Sequence, residues 1–332
     1  MAKKIVNDPK EVVPELIEGL LGAYGGRVKK LGEVNALVKS ELPKGKVGLL
    51  VGGGSGHEPL FPLFIGENLA DGAACGNIFA APAPNIILEA TKALDQGKGV
   101  LYLYGNYAGD NMNFDIAAEM AADLGIRVKT VRVWDDAASA PLARMQERRG
   151  IAGDLFIIKV AGAVTAAVAD LDEAYRVTAK ARDMTRSIGV AVGAGSIPET
   201  GALTFELPAD EIEIGMGLHG EPGVSREKMQ KADAIVDKML ATLLPDLPFG
   251  RGDEVCLLVN DLGATTMMEL LIVNRRARRV LQDHGIAIHD TVLGSYCTCQ
   301  EMAGFSITLM KLDEELKRYY RRPASSLAFS RS

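Results

Sequence analysis

The sequence predicts an α/β protein of two domains, each a mixed or mostly parallel sheet flanked by helices. Three observations predict it. At 332 residues the chain is too long for one ordinary core, and two domains of about 150 residues are the prior. Short apolar runs alternate with longer amphipathic ones, which is the α/β pattern rather than that of a bundle or sandwich. Several of those short runs end in glycine-bearing loops. Hydrophobic residues make up 48% and charged residues 24%, so disordered, coiled-coil and collagen-like classes fall away.

The elements follow in order. Val47–Val51 and Gly99–Tyr104 read as buried strands, Ala83–Leu94 and Asn113–Leu124 as helices, and Arg127–Val133 as a half-buried strand. Leu155–Val160 is strand-like, and an Ala-rich stretch from Gly162 to Arg186 reads as one long helix closing a first domain over residues 1–186. A second domain, residues 187–332, opens with a strand at Ile188–Val192. Further strands are expected at Glu211–Ile214, Glu254–Val259 and Phe305–Met310, and helices at Ser225–Leu243 and Thr266–His284. The arginines at 275, 276, 278 and 279 form a solvated face.

A net charge of −6 argues against a nucleic-acid or anionic-membrane partner, since both need a basic field; a small molecule fits better. The longest apolar stretch, Leu155–Leu171, is interrupted by Lys159 and Asp170 and is shorter than the roughly 20 residues of a membrane helix. The four cysteines contain no CxxC pair, and Met1–Asp8 carries no apolar signal segment, so a reducing cytoplasm is expected.

Two of only four histidines, His57 and His219, lie in glycine-rich loops after strand-like runs, where an open α/β sheet places its ligand crevice. Gly-Ser-Gly-His-Glu-Pro ends at Pro59, and Gly-Leu-His-Gly-Glu-Pro ends at Pro222. Glycines there let backbone N–H groups approach a polar ligand; the competing reading is a structural turn with a surface histidine. Asp110, after the strand ending near Tyr104, is either a general base or, with Asn111, an N-cap for the helix from Asn113. His284 and His289 read as structural. Cys297 and Cys299 lack further ligands at zinc spacing, so no metal is expected. Gly215–Gly220 matches G-x-G-x-x-G, but the region some 20 residues on reads as helix rather than as a second strand ending in an acidic residue. The hydrolase elbow, Walker A and kinase loop sets are absent.

With GGGSGHEP at 52–59, NYAGD at 106–110, RRGIA at 148–152, GMGLHGEPG at 215–223, NDLGAT at 260–265 and MAGFSITL at 302–309, nearly the whole chain resembles the substrate-binding (K) subunit family of dihydroxyacetone kinases. The resemblance implies a homodimeric two-domain subunit binding a short ketose at the domain interface. His219 would attack the substrate carbonyl through Nε2 to form a hemiaminal. Gly54, Ser55, Gly56 and His57 would hydrogen-bond the substrate, and Asp110 would take the proton from the hydroxyl being phosphorylated. The chain ends near where the K part ends, so ADP or ATP with magnesium is expected on a separate nucleotide-carrying L subunit. A phosphotransferase relay would recharge bound ADP.

Two departures stand out. Gly105 replaces the lysine of many dihydroxyacetone-specific relatives, and Cys299-Gln300-Glu301-Met302 replaces Ser-Leu-Asp-Met. Loss of a charged donor beside the pocket favours a four- or five-carbon ketose such as erythrulose as an alternative to dihydroxyacetone. A non-enzymatic ketose sensor docking on a transcription regulator shares the same pocket and stays open, as does, more remotely, a hydrolase or metal protein using His57, His219 and Asp110.

Overall fold

The computed structural model describes residues 3–332. The chain opens with α1 (Val12–Tyr24), β1 (Val28–Lys30), β2 (Ala36–Lys39), β3 (Gly48–Ser55) and β4 (Gly72–Ile78). It continues through α2 (Pro84–Leu94), β5 (Val100–Gly105), α3 (Ala108–Asp123) and β6 (Val128–Val133). These six strands form one sheet in the order β1-β2-β4-β3-β5-β6, parallel from β4 to β6 and antiparallel at the β1 and β2 edge. The apolar positions of α2 and α3 meet this sheet in one core containing Ile87, Leu94, Val100, Tyr102, Tyr104 and Phe114. The connections from β4 to β5 and from β5 to β6 each place a helix on the sheet, whereas β3 reaches its parallel neighbour β4 through a loop with a single 3-10 turn at Pro62–Phe64.

Two further helices follow, α4 (Asp154–Ala167) and α5 (Leu171–Asp183). The second sheet comprises β7 (Thr185–Gly193), β8 (Glu211–Ile214), β9 (Ser225–Lys228), β10 (Glu254–Asp261), β11 (Ala287–Gly294) and β12 (Ala303–Leu312), in the order β11-β10-β12-β7-β8-β9. Only β10 and β11 run parallel. Helices α6 (Ala232–Asp246) and α7 (Met267–Asp283) pack its core through Val236, Leu240, Val273 and Leu281. The chain closes with α8 (Glu314–Tyr320) and the small pair β13 (Ala324–Ser325) and β14 (Ser330–Arg331). The expectation of two mixed sheets flanked by helices holds.

Several boundaries differ from the sequence expectations. Leu155–Val160 is helix rather than strand, the first turns of α4. Nearly every residue from Leu155 to Val164 is buried, so the helix has no polar face to reveal a 3.6-residue period and reads as a continuous apolar run. The single helix expected over 162–186 is two, because the Asp170 carboxylate accepts the N–H of Asp172 at 2.8 Å and starts α5 anew. Ser225–Lys228 is an edge strand, with Arg226 ion-paired to Glu213, and the helix begins only at Ala232. Helix α3 begins five residues earlier than expected, at Ala108.

The chain falls into two compact units that are discontinuous in sequence, unlike the contiguous halves 1–186 and 187–332. One holds Lys3–Val133, Phe156–Ala181 and Leu316–Ser332, and the other Trp134–Leu155 and Arg182–Glu315. The first is stitched by polar contacts between segments far apart in sequence: Asn68 Nδ2 donates to Pro323 O at 2.7 Å, Glu67 pairs with Ser325, and Lys159 Nζ donates to Arg322 O. Gly162 lies so close to Leu69 that a Cβ would sit 2.4 Å from its backbone. Among the described residues no helix is long and apolar enough to cross a membrane.

Candidate functional site

In the first unit the carboxyl end of β3 carries Gly52 to Ser55 and runs into His57. Three glycines here serve the protein's own packing. A Cβ on Gly52 would meet Ala74 O at 2.7 Å, one on Gly53 the Phe61 ring at 2.4 Å, and one on Gly54 the backbone of Ala80 at 2.8 Å. Close approach is therefore required by the chain itself. The Ser55 hydroxyl donates to Gly76 O at 2.8 Å, and the Gly56 N–H, at φ +100°, donates to the Glu58 carboxylate at 2.9 Å. Both donors are thus engaged by the chain itself, one by β4 and one within the loop. Burial pushes the Glu58 carboxyl up, against the pull of those backbone N–H groups. His57 is only 4% exposed, with its ring 5.0 Å from that of Phe79.

Gly105 and Asp110 leave the same edge of the same sheet, because β5 lies beside β3 and runs parallel to it. Asp110 is not the N-cap. Tyr107 holds that position, without a side-chain cap, and Asp110 and Asn111 sit inside the first turn of α3, where the helix N-terminus favours a negative charge. The turn is braced by Asn111 Nδ2 donating to Asn106 Oδ1 at 2.8 Å and Asn113 Nδ2 donating to Pro82 O at 2.9 Å. Phe114 anchors it, stacked 4.2 Å from Tyr104 and edge-on 5.3 Å from Tyr102.

His219 belongs to the other unit, in the loop between β8 and β9. The Glu221 carboxylate holds it twice: Oε2 accepts the His219 N–H at 2.9 Å and Oε1 lies 3.0 Å from Nδ1. A carboxylate partner requires a proton on Nδ1, which leaves the lone pair on Nε2. The ring is 27% exposed. Burial works against the Glu221 charge, but the His219 hydrogen bond and charge, with backbone N–H groups, bring its carboxyl down to about 2. A loop of this shape needs left-handed glycines at Gly215 (φ +82°) and Gly220 (φ +86°). Gly217 N donates to Glu221 O at 3.0 Å across it.

The structure thus gathers Gly54, Ser55, Gly56 and His57 in one loop, places Gly105 and Asp110 after the neighbouring strand, and sets His219 in a separate unit. Sequence reasoning singled out neither Glu221 nor Arg149. The signal for the first lay in the repeated Glu-Pro ending. Each glutamate caps the backbone N–H two residues before it, which is Gly56 in one loop and His219 in the other. His284 Nδ1 lies 2.8 Å from Val280 O at the end of α7, and His289 Nδ1 lies 2.6 Å from Glu254 Oε1. The G-x-G-x-x-G match opens no helix; β9 follows it. Glu301 turns its carboxylate to the backbone N–H and hydroxyl of Ser196, and the Cys299 carbonyl closes on Gly195, so the Cys299–Met302 departure is absorbed by a neighbouring turn.

Two mixed sheets with a carboxylate-held imidazole on a glycine-rich loop beyond the end of a strand define the class: an α/β protein with an oriented histidine. The comparisons narrow that class. The Dak1 domain family matches residues 18–328. The chain is 43% identical to the dihydroxyacetone-binding subunit DhaK of PTS-dependent dihydroxyacetone kinase 2 from Listeria innocua, over 98% of this chain and 99% of that one. It is 38% identical to an L-erythrulose kinase of Pectobacterium atrosepticum, covering 98% of this chain but 56% of that protein. The crystal structure of the dihydroxyacetone kinase of C. freundii superimposes with a TM-score of 0.89 at 31% identity, covering 98% of this chain and 60% of that one. The chain belongs to the Dak1 domain family.

Proposed function

We propose that the protein is the ketose-binding subunit of a dihydroxyacetone-type kinase and that His219 captures the ketose covalently. The observation that carries this reading is the Glu221 carboxylate on Nδ1, which prepares Nε2 as a neutral nucleophile. The C–N bond forms as the carbonyl π bond opens; the carbonyl oxygen takes up a proton from water, and the Nδ1 proton stays in place against the Glu221 carboxylate, which balances the charge the ring gains as Nε2 is alkylated. Polyols such as glycerol have no carbonyl and are excluded by chemistry rather than by fit. In this reading the loop from Gly54 to His57 contributes substrate hydrogen bonds, the Ser55 hydroxyl accepting from the ketose while it donates to Gly76 O and the Gly56 N–H exchanging Glu58 for the substrate. Asp110 takes the proton of the terminal hydroxyl as that oxygen attacks the phosphoryl group, and covalent anchoring supplies orientation.

The phosphoryl donor, ADP recharged by a phosphotransferase relay or ATP with magnesium, resides on a separate nucleotide-carrying subunit in this reading. Gly105 leaves room and removes a cation, which favours a four-carbon ketose; a specificity constant about tenfold or more in favour of dihydroxyacetone across a ketose panel contradicts this assignment.

The test uses ketose labelled with carbon-13 at the carbonyl, with and without a nucleotide-carrying partner and donor. Wild type converts the carbonyl signal to that of a tetrahedral carbon and, with partner and donor, forms sugar phosphate. His219→Ala forms no adduct. Asp110→Asn forms the adduct and no phosphate. Adduct in His219→Ala, or wild-type turnover in Asp110→Asn, refutes the role of that residue. Wild-type adduct with no phosphate under any donor leaves a sensor.

A further inference from the structure

Beneath the His219 loop lies a buried ion pair that the chemistry above does not use. Asp136 is 1% exposed and Arg149 14%. Arg149 Nε donates to Asp136 Oδ2 at 2.9 Å, and the segments are clipped by backbone bonds: Asp136 N to Arg149 O at 3.1 Å and Arg149 N to Ser139 Oγ at 3.0 Å. This clip is the floor of the loop. Arg149 Nη2 donates to Gly215 O at 2.9 Å, and a Cβ on Gly215 would sit 2.6 Å from Ala138 Cβ. The remaining guanidinium nitrogen faces the histidine's own partner. The space a Cβ on Gly217 would fill is bordered by Glu221 Oε2 at 2.2 Å and Arg149 Nη1 at 2.5 Å. Guanidinium and carboxylate therefore lie within about 5 Å of each other, inside strong Coulombic reach.

We propose that Arg149 is a positioning residue for the capture histidine: it fixes the Gly215 end of the loop and the Glu221 carboxylate, and through them the orientation and tautomer of the His219 ring. This deepens the reading of His219 as nucleophile and rests on it. One planar fork meets three directions at once, toward Asp136, the Gly215 carbonyl and Glu221. A lysine ammonium, a compact point charge, can keep the ion pair but not the fork. Gly217 is the gap through which the two charges face each other.

Three variants test this, read by nitrogen-15 shifts of the His219 ring without ketose, and by ketose capture. Wild type shows the Nδ1–H tautomer. Arg149→Lys keeps the Asp136 pair and the melting temperature, yet shows a mixed tautomer and capture weaker by about tenfold, as when partners that orient a working histidine are lost. Gly217→Ala, which wedges a methyl between Arg149 and Glu221 without removing a charge, does the same. Burial pushes the Asp136 carboxyl up to about 6 even beside Arg149, so loss of the arginine alone risks the fold, and Arg149→Met is made together with Asp136→Asn. Wild-type tautomer and capture in that double variant would mean Arg149 only neutralises Asp136, and would overturn the proposal. So would an unchanged ring in Arg149→Lys and Gly217→Ala. A wild-type protein that forms no adduct sinks the capture reading instead, while the tautomer still judges Arg149.

Discussion

One residue of spacing separates the two histidine loops. His57 directly precedes its glutamate, which caps Gly56; His219 lies two before its own, so a single carboxylate holds both its backbone and its ring. The repeat was legible in the sequence, but its meaning was not, because only the turn shows where each carboxylate lands. Glycines were legible as sites of close approach, and at Gly52, Gly53 and Gly54 it is the chain's own backbone and the Phe61 ring that come this near. The Glu221 carboxyl, brought to about 2 from an ordinary 4.5, stabilises the folded protein fully above pH 4.5 and loses that contribution as pH falls toward 2. Urea unfolding therefore should show wild type more stable than Glu221→Gln near neutrality, with the gap narrowing through this window. A gap that widens on acidification contradicts the assignment.

At the scale of elements, seven expected strands, β3, β5, β6, β7, β8, β10 and β12, are strands in the fold, β1, β2 and β4 carried no expectation, and misreadings fell where tertiary context overrides local pattern. Helix α4 hides its period because the protein surrounds it, and β9 takes a strand's place because Glu213 and the edge of the second sheet are there to receive it. Asp110 shows the same limit. Its residue type fits a cap, and the helix simply begins earlier, held down by Phe114 between Tyr102 and Tyr104. Phe114→Ala should cost about 3–5 kcal/mol of stability through the cavity it leaves. Phe114→Leu, by contrast, should fold well and lose phosphate formation more than ketose capture, since it loosens the turn bearing Asp110. Equal losses in both would show that Asp110 is positioned by something else.

For the whole molecule, composition announced two sheets but not how the chain is shared between them. Returns of α4, α5 and the C-terminal segment to the first unit rest on single contacts far apart in sequence, such as Asn68 to Pro323 and Lys159 to Arg322, which no local pattern encodes. Burial of all four cysteines has a direct consequence. Cys75 is pushed up to about 12, by burial first and the nearby Glu58 charge second. Native protein should give no fast reaction with a thiol reagent, and unfolding in guanidinium should release four thiols; a fast native reaction would place at least one cysteine at the surface.

The capture of a ketose by one imidazole is tested most directly by crystals soaked in dihydroxyacetone or erythrulose. The account requires density continuous from His219 Nε2 to a tetrahedral sugar C2, with Nδ1 still on Glu221. A planar sugar carbonyl, with Nε2 turned away from it, contradicts the account.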